Sequence, residues 1–194
     1  MESVSISLLT ICGIEELPDH AERKVTHILS VLDPDMPDPE AFGKFAPHER
    51  TILRFHDIIE DRPGMEMPRR DHVEKVLAFG EELAKSCDLR EDGHLLVHCH
   101  MGVSRSTASM VMLMAQAQPE ISEDELFKRL AAIRPQAWPN SVMIAYADEL
   151  LGRDGRFTEA LRRHYGRQIE RDPHFVTWMT ELGREREVDM AVSS

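Results

Sequence analysis

Short apolar runs alternate along the chain with stretches in which apolar residues recur every three or four positions. Residues 4–11, 25–32, 51–55 and 94–98 are short, apolar and partly β-branched, which predicts four buried strands. Between the third and fourth, Val73, Val76, Leu77, Gly80, Leu83, Ala84 and Cys87 fall on one helix face. Pro68 suits the start of that helix, where its missing N–H costs nothing. A second helix is expected from Arg105, with Met110, Val111, Met114 and Ala115 inward. Ser122 and Glu125 form a capping box ahead of Leu126, Phe127, Leu130 and Ala131. Asn140 caps a further helix that turns Val142, Met143, Tyr146, Ala147, Leu150 and Leu151 inward, with Gly152 at its C′ position.

Strands interleaved with helices predict an α/β fold with a mainly parallel central sheet flanked by helices, over residues 1–152. The remaining residues, 153–194, carry Phe157, Leu161 and Tyr165, then Phe175, Trp178, Met179 and Leu182, at helical spacing. They predict a C-terminal extension of two amphipathic helices, split near Asp172-Pro173, packed on the domain or on a partner. Residues 191–194 are expected to fray.

Composition narrows the partners. With 42% hydrophobic residues the 194-residue chain has material for one sizeable core. The net charge of −12 is unevenly spread: residues 1–151 hold 15 Lys/Arg against 27 Asp/Glu, and residues 152–194 hold 8 of each. Nucleic acid or an anionic membrane surface would need the opposite sign, so neither is an expected partner. The longest apolar run outside the strands, residues 110–115, is too short to span a bilayer. The opening MESVSISLLTICGIEEL lacks a basic n-region and a small-residue cleavage site, and reads as a strand rather than a signal peptide. Three cysteines do not make a disulfide framework, and the expected location is the cytoplasm.

The candidate chemistry sits in HLLVHCHMGVSRSTA, residues 94–108, which admits three readings. His94, His98 and His100 share one strand face and could approach a metal, although zinc ligands usually come from several elements. Gly102-Val103-Ser104-Arg105-Ser106 has the outline of a nucleophile elbow, but Ser106 stands where the second small residue belongs and Arg105 has no task in acyl transfer. The third reading uses every unusual residue. A strand ends at Cys99, a five-residue loop (His100, Met101, Gly102, Val103, Ser104) follows, and a helix begins at Arg105. Such a loop can wrap its N–H groups around an anion at the helix N-terminus. Arg105 can grip two anion oxygens at once, as a lysine cannot. That positive environment favours a thiolate on Cys99. Gly102 permits a positive φ, and Ser106 can hydrogen-bond the sulfur and ease its departure. The product is a thiolate beneath a tetrahedral oxyanion, placed to attack phosphorus.

His98-Cys99-(five residues)-Arg105-Ser106 resembles the phosphate-binding loop of the cysteine-dependent protein tyrosine phosphatases, and its GVSRS ending is most similar to the dual-specificity subgroup. VTHILSVL at 25–32 and RPQAWPNSVM at 134–143 resemble further segments of that subgroup, so the likeness covers roughly residues 4–152. It implies a tyrosine-phosphatase-like fold and hydrolysis of phosphate monoesters on phosphorylated proteins, most of all phosphotyrosine. The implied intermediate is phosphocysteine, with no cofactor and no metal. Cys99 is the implied nucleophile, with Arg105 and residues 100–104 binding phosphate and Ser106 assisting the sulfur.

The resemblance also implies an acidic residue on the loop after the third strand, where LRFHDIIEDRPG offers Asp57, Glu60 and Asp61. Asp57 directly follows the strand and is preferred as general acid; Asp61 is the runner-up. His98 is expected to support the loop by hydrogen bonds. Cys87 reads as an inert core thiol, Cys12 has no motif around it, neither is an obvious disulfide partner for Cys99, and Met110, Met112 and Met114 read as core. Two rival functions remain: a phosphatase of inositol phosphates or other small phosphates, for which loop residues 100–104 supply no lysine, and a non-catalytic phosphate-binding module.

Overall fold

The computed structural model describes residues 6–86 and 93–192. Cys87 and the first residues of the first expected strand lie outside them, as do the last two residues. Four strands, β1 (Ile6–Cys12), β2 (His27–Leu32), β3 (Glu49–Arg54) and β4 (Gly93–His98), form one sheet in the order β1-β4-β2-β3. Every pairing is parallel, with Cys12 opposite His98 and Ser30 opposite His98 across the two β4 registers. All residues of β2 and β4 are buried, as strands covered on both faces must be.

Alternation along these strands sorts their side chains onto two unequal faces. Leu29, Val31, Leu95 and Val97 join the main core with the α-helices; Ile28, Leu96 and Cys12 join a smaller cluster with Leu17 and Val25. That smaller face is covered by two 3-10 segments, Ile14–His20 and Glu40–Lys44, whose Ile14, Phe42 and Phe45 pack on it. The sequence gives no periodic signal for either segment, because one or two turns are too short to show one.

The main face carries α1 (Arg70–Ser86), α2 (Arg105–Ala117), α3 (Glu123–Ile133) and α4 (Ser141–Leu150). Helix α1 begins two residues after Pro68, because the Arg69 N–H donates to the His72 Nδ1 (3.2 Å) and fixes the start there. Its buried face holds Val73, Val76, Leu77 and Leu83 as expected, but Ala84 is exposed and Phe79 takes a buried place instead. Helix α2 differs more from expectation. Every residue from Arg105 to Ala115 is buried, Met112 as expected and Leu113 in addition, because the sheet, α1, α3 and α4 surround it. Ser122 caps α3 by accepting from the Glu125 N–H, while the Glu125 carboxylate turns to Arg129 rather than completing the capping box. Asn140 caps α4 through Val142 and Met143, and Gly152 follows with φ +61°.

Beyond Gly152 the chain forms three helices: α5 (Arg156–Arg171), α6 (His174–Glu181) and α7 (Glu185–Met190). The break at Asp172-Pro173 falls where expected. The third helix, α7, has a charged sequence without an apolar stripe and was not foreseen. Phe157, Ala160, Leu161, Tyr165, Phe175 and Met179 belong to the same core cluster as the sheet, so the core runs continuously across residue 152. Among the described residues no helix is long and apolar enough to cross a membrane.

Candidate active site

Strand β4 delivers Cys99 to its carboxyl end, in the crevice where parallel sheets place ligands. The side chain is 2% exposed, and its Sγ lies 3.1 Å from the Ser106 Oγ. Residues 100–104 then turn the chain into α2. Gly102 sits at φ +68°, and a Cβ there would stand 2.5 Å from the carbonyl carbon of Cys12, so the expected glycine requirement is both conformational and steric.

The loop carbonyls are held from outside, one after another. That of His100 accepts from the Ile14 N–H (2.9 Å), and those of Met101 and Gly102 from Arg134 (3.0 Å each). The Val103 carbonyl accepts from the Trp138 N–H (2.8 Å) and the Thr107 hydroxyl (2.5 Å), and the Ser104 carbonyl from the same hydroxyl (2.8 Å). Among the described residues no protein group accepts from the amides of residues 100–105. Carbonyls tied outward and amides left over make a cradle for an anion at the start of α2. Glu16 holds the Arg134 guanidinium in register through two bonds (2.7 and 2.8 Å), and those bonds keep the Glu16 carboxyl below its usual range.

Arg105 is 2% exposed. Its Nη1 donates to Asp33 (2.6 Å) and to the Phe55 carbonyl, while its Nε is buried without a partner. Asp33 and Phe55 thus fix one end of the guanidinium and leave the edge bearing Nε for a bidentate acceptor. A buried unpartnered donor is costly unless a ligand satisfies it.

Asp57 lies against this loop. Its Oδ1 accepts from the Ser104 hydroxyl (2.7 Å), from Asn140 Nδ2 (3.0 Å) and from Arg184 Nη1 (2.9 Å). Burial favours its neutral form, but Arg184, then Arg105 and the two hydrogen bonds, outweigh that and hold the carboxyl below its ordinary range. Asp61 and Glu60 are exposed. Of the three candidate carboxylates in that segment, Asp57 is the one bonded to the loop.

The remaining expected residues fall as follows. His98 is buried and bonds the Ser30 Oγ through Nε2 (2.6 Å); burial, then the charge of Arg50, pushes its pKa down to about 4, so it stands neutral beneath the loop. His94 spends both ring nitrogens, on Thr10 and on the Arg23 carbonyl, whereas His100 is exposed, so the three histidines do not converge. Among the described residues no group of three metal-ligating side chains occurs. The Ser104 hydroxyl is taken by Asp57 and Arg184 rather than by an imidazole, which removes the nucleophile-elbow reading. Cys12 lies on the opposite sheet face from Cys99, and burial, then Glu16, pushes its thiol up to about 12.

Sequence reasoning missed Asp33, Arg134, Trp138, Arg184 and Glu187. Trp138 and Arg134 lie in the segment RPQAWPNSVM, whose resemblance was the available signal. Glu187 is fully buried and accepts from Trp138 Nε1 and the Ser141 N–H (2.7 Å each) while pairing with Arg184.

No family model matches the chain. The dual specificity protein phosphatase 15 of Mus musculus is 32% identical over 124 residues, which is 63% of this chain and 45% of that protein. The match therefore spans less than half the length of that curated relative. Human DUSP28 superposes with a TM-score of 0.54 at 19% identity, covering 79% of this chain and 99% of that one. The DUSP15 structure gives a TM-score of 0.52 at 20% identity, over 84% of this chain and 94% of that one. The four-stranded parallel sheet flanked by helices is thus a fold shared with those structures. By sequence the chain is similar to dual specificity protein phosphatases over 124 of its residues, and by structure it shares the fold of DUSP28 and DUSP15.

Proposed function

We propose that the protein hydrolyses phosphate monoesters on phosphorylated proteins, with phosphotyrosine as the principal substrate and phosphoserine or phosphothreonine as further ones. The observation that carries this reading is the cradle: Cys99 at its base, outward-tied carbonyls, and the unpartnered Nε of Arg105. In the first step the Cys99 thiolate attacks phosphorus, the S–P bond forms, and the P–O bond to the leaving group breaks. Asp57 gives that oxygen its proton. In the second step water attacks phosphorus, Asp57 takes a proton from it, and the thiolate leaves with the Ser106 hydroxyl 3.1 Å away to hydrogen-bond it. Arg105 and the amides of residues 100–105 stabilise the equatorial oxygens throughout.

Asp57 rests as a carboxylate, which decides where the first proton comes from. A phosphate monoester has a second pKa of about 6. Its monoanion brings the proton into the site, and the dianion's charge then opposes ionisation of Asp57. No step uses a metal or a cofactor. A thiol nucleophile needs a reducing compartment, which supports a cytoplasmic location. The acidic surface and a loop without lysine favour phosphoprotein over inositol phosphates, nucleic acid or an anionic membrane.

The test is turnover of a small aryl phosphate in the presence of a chelator, followed by a panel of phosphopeptides and inositol phosphates. The reading expects metal-free turnover and a preference for phosphotyrosine peptides. Phosphate binding without turnover would leave a binding module instead.

A further inference from the structure

Arg184 enters the site from the C-terminal extension, outside the segment that carries the phosphatase resemblance. It follows Gly183, whose φ of +71° turns the chain between α6 and α7, and it is 3% exposed. All three of its nitrogens are engaged. Nη1 donates to Asp57 (2.9 Å) and to the Ser104 hydroxyl (2.7 Å), Nε donates to Glu187 (2.9 Å) and Nη2 to the same carboxylate (2.8 Å). Glu187 is in turn fixed by Trp138 and Ser141, and the Trp138 N–H holds the Val103 carbonyl of the cradle. The loop that bears Asp57 reaches back as well, since Arg62 donates to the Gly183 carbonyl (3.3 Å).

We propose that Arg184 is a positioning residue of the active site, coupling the C-terminal helices to catalysis through Asp57 and Ser104. Ser104 is the last cradle residue before Arg105, so its seat fixes both an anion-binding amide and the first turn of α2. A guanidinium can hold the carboxylate and the hydroxyl with one nitrogen while Glu187 locks its other edge; an ammonium would have to choose. The ionisable groups facing Asp57 are Arg184 beside α7, Arg105 on α2 and Tyr165 on α5, with Glu187 behind Arg184. Burial works against the Arg184 charge, but Glu187 and Asp57 hold the guanidinium protonated more firmly than usual. The coupling rests on reading the cradle as the catalytic site.

The experiment uses the full chain with Arg184→Met, Arg184→Lys, Asp57→Asn and the Arg184→Met/Asp57→Asn double variant. Carbon-13 NMR titration of the Asp57 carboxyl is followed alongside kcat and KM for phenyl and nitrophenyl phosphates. Asp57 is expected to titrate below the ordinary carboxylate range in the wild type and to move upward in Arg184→Met. The kcat for phenyl phosphate is expected to fall roughly tenfold in Arg184→Met but to change little when the same substitution is made in Asp57→Asn. Arg184→Lys is expected to keep Asp57 below its ordinary range and to lose part of kcat. If Arg184→Met does not fold, the wild type and Arg184→Lys decide, and an ordinary Asp57 titration in both overturns the proposal. An unmoved titration in Arg184→Met, or fully additive losses, overturns it too. A wild type without turnover would instead sink the phosphatase reading, and the titration would still judge the coupling.

Discussion

Two arginines are buried within electrostatic reach of Asp57, and they are satisfied to different degrees. Arg184 has every nitrogen bonded and two carboxylates beside it. Arg105 has Nη1 tied to Asp33 and Phe55 and a buried Nε with no partner. A guanidinium whose demands are all met within the protein is an architectural part. One held at a single end, beside amides that no protein group accepts from, has the free edge that the proposed phosphate binding would use. The substitutions that remove each should therefore fail in different ways.

The largest effect expected is on chemistry. Arg105→Met should lower kcat/KM by ~10³–10⁵, the scale of losing an arginine from a phosphoryl transition state. Its melting temperature should stay within about 3 °C of wild type, since the abandoned partner, Asp33, has a third of its side chain in water. A large loss of stability would mean that Arg105 is architectural after all.

Next comes the carboxylate between the two. Asp57→Asn should reduce kcat by ~10²–10⁴ for phenyl phosphate and much less for nitrophenyl phosphate, whose leaving group needs no proton. Asp61→Asn, on an exposed position, should change neither. The opposite pattern in that pair of assays would transfer the acid role to Asp61.

Arg184→Met should show its main deficit in stability. It strands the fully buried Glu187 without its cation, and breaking such a pair costs on the order of 3–5 kcal/mol. Urea unfolding gives the number directly. A change below 1 kcal/mol, on the order of an exposed pair, would erase the distinction between the two arginines.

What the sequence disclosed follows the same division. The cradle is local: a strand end, a glycine and an arginine six residues past the cysteine, so Cys99, Gly102, Arg105 and Ser106 were legible from fifteen consecutive residues. Asn140 was legible as a helix cap but not as a ligand of Asp57, 83 positions away, because pairing across the fold leaves no local mark. Arg184 and Glu187 lie in GREREVDM, which by composition reads as a solvated face. Their burial comes with partners far along the chain: Trp138, itself stacked on Tyr165 (4.2 Å between ring centroids) and Phe175, and Ser141 hold Glu187, while Asp57 and Ser104 hold Arg184. Helix α2 shows the converse. Its apolar stripe predicted one inward face, whereas its central place in the fold buries every side, so Leu113 escaped prediction.

A further expectation concerns pH rather than a substitution. Burial pushes His98 and His164 down to about 4, against about 6.5 for an unfolded histidine. Between those values the unfolded chain binds protons that the folded chain does not. Stability present above about pH 6.5 is therefore lost as the pH falls toward 4, by on the order of 3 kcal/mol for each histidine. The carboxyl of Asp57, held low by Arg184, adds a separate loss at still lower pH. Urea midpoints at about pH 7 and pH 4.5 check this; equal midpoints would show that these rings are not held neutral, and the cradle would then rest on a charged His98.

The most direct test of the central claim is mass spectrometry of the wild type and Cys99→Ser, each quenched during turnover of an aryl phosphate, with vanadate binding measured on both. The account predicts a phosphoryl adduct on Cys99 in the wild type. It predicts neither adduct nor turnover in Cys99→Ser, which should still bind the oxyanion through Arg105 and the loop amides. Turnover by Cys99→Ser, or phosphate release in the wild type without any adduct at Cys99, would contradict it.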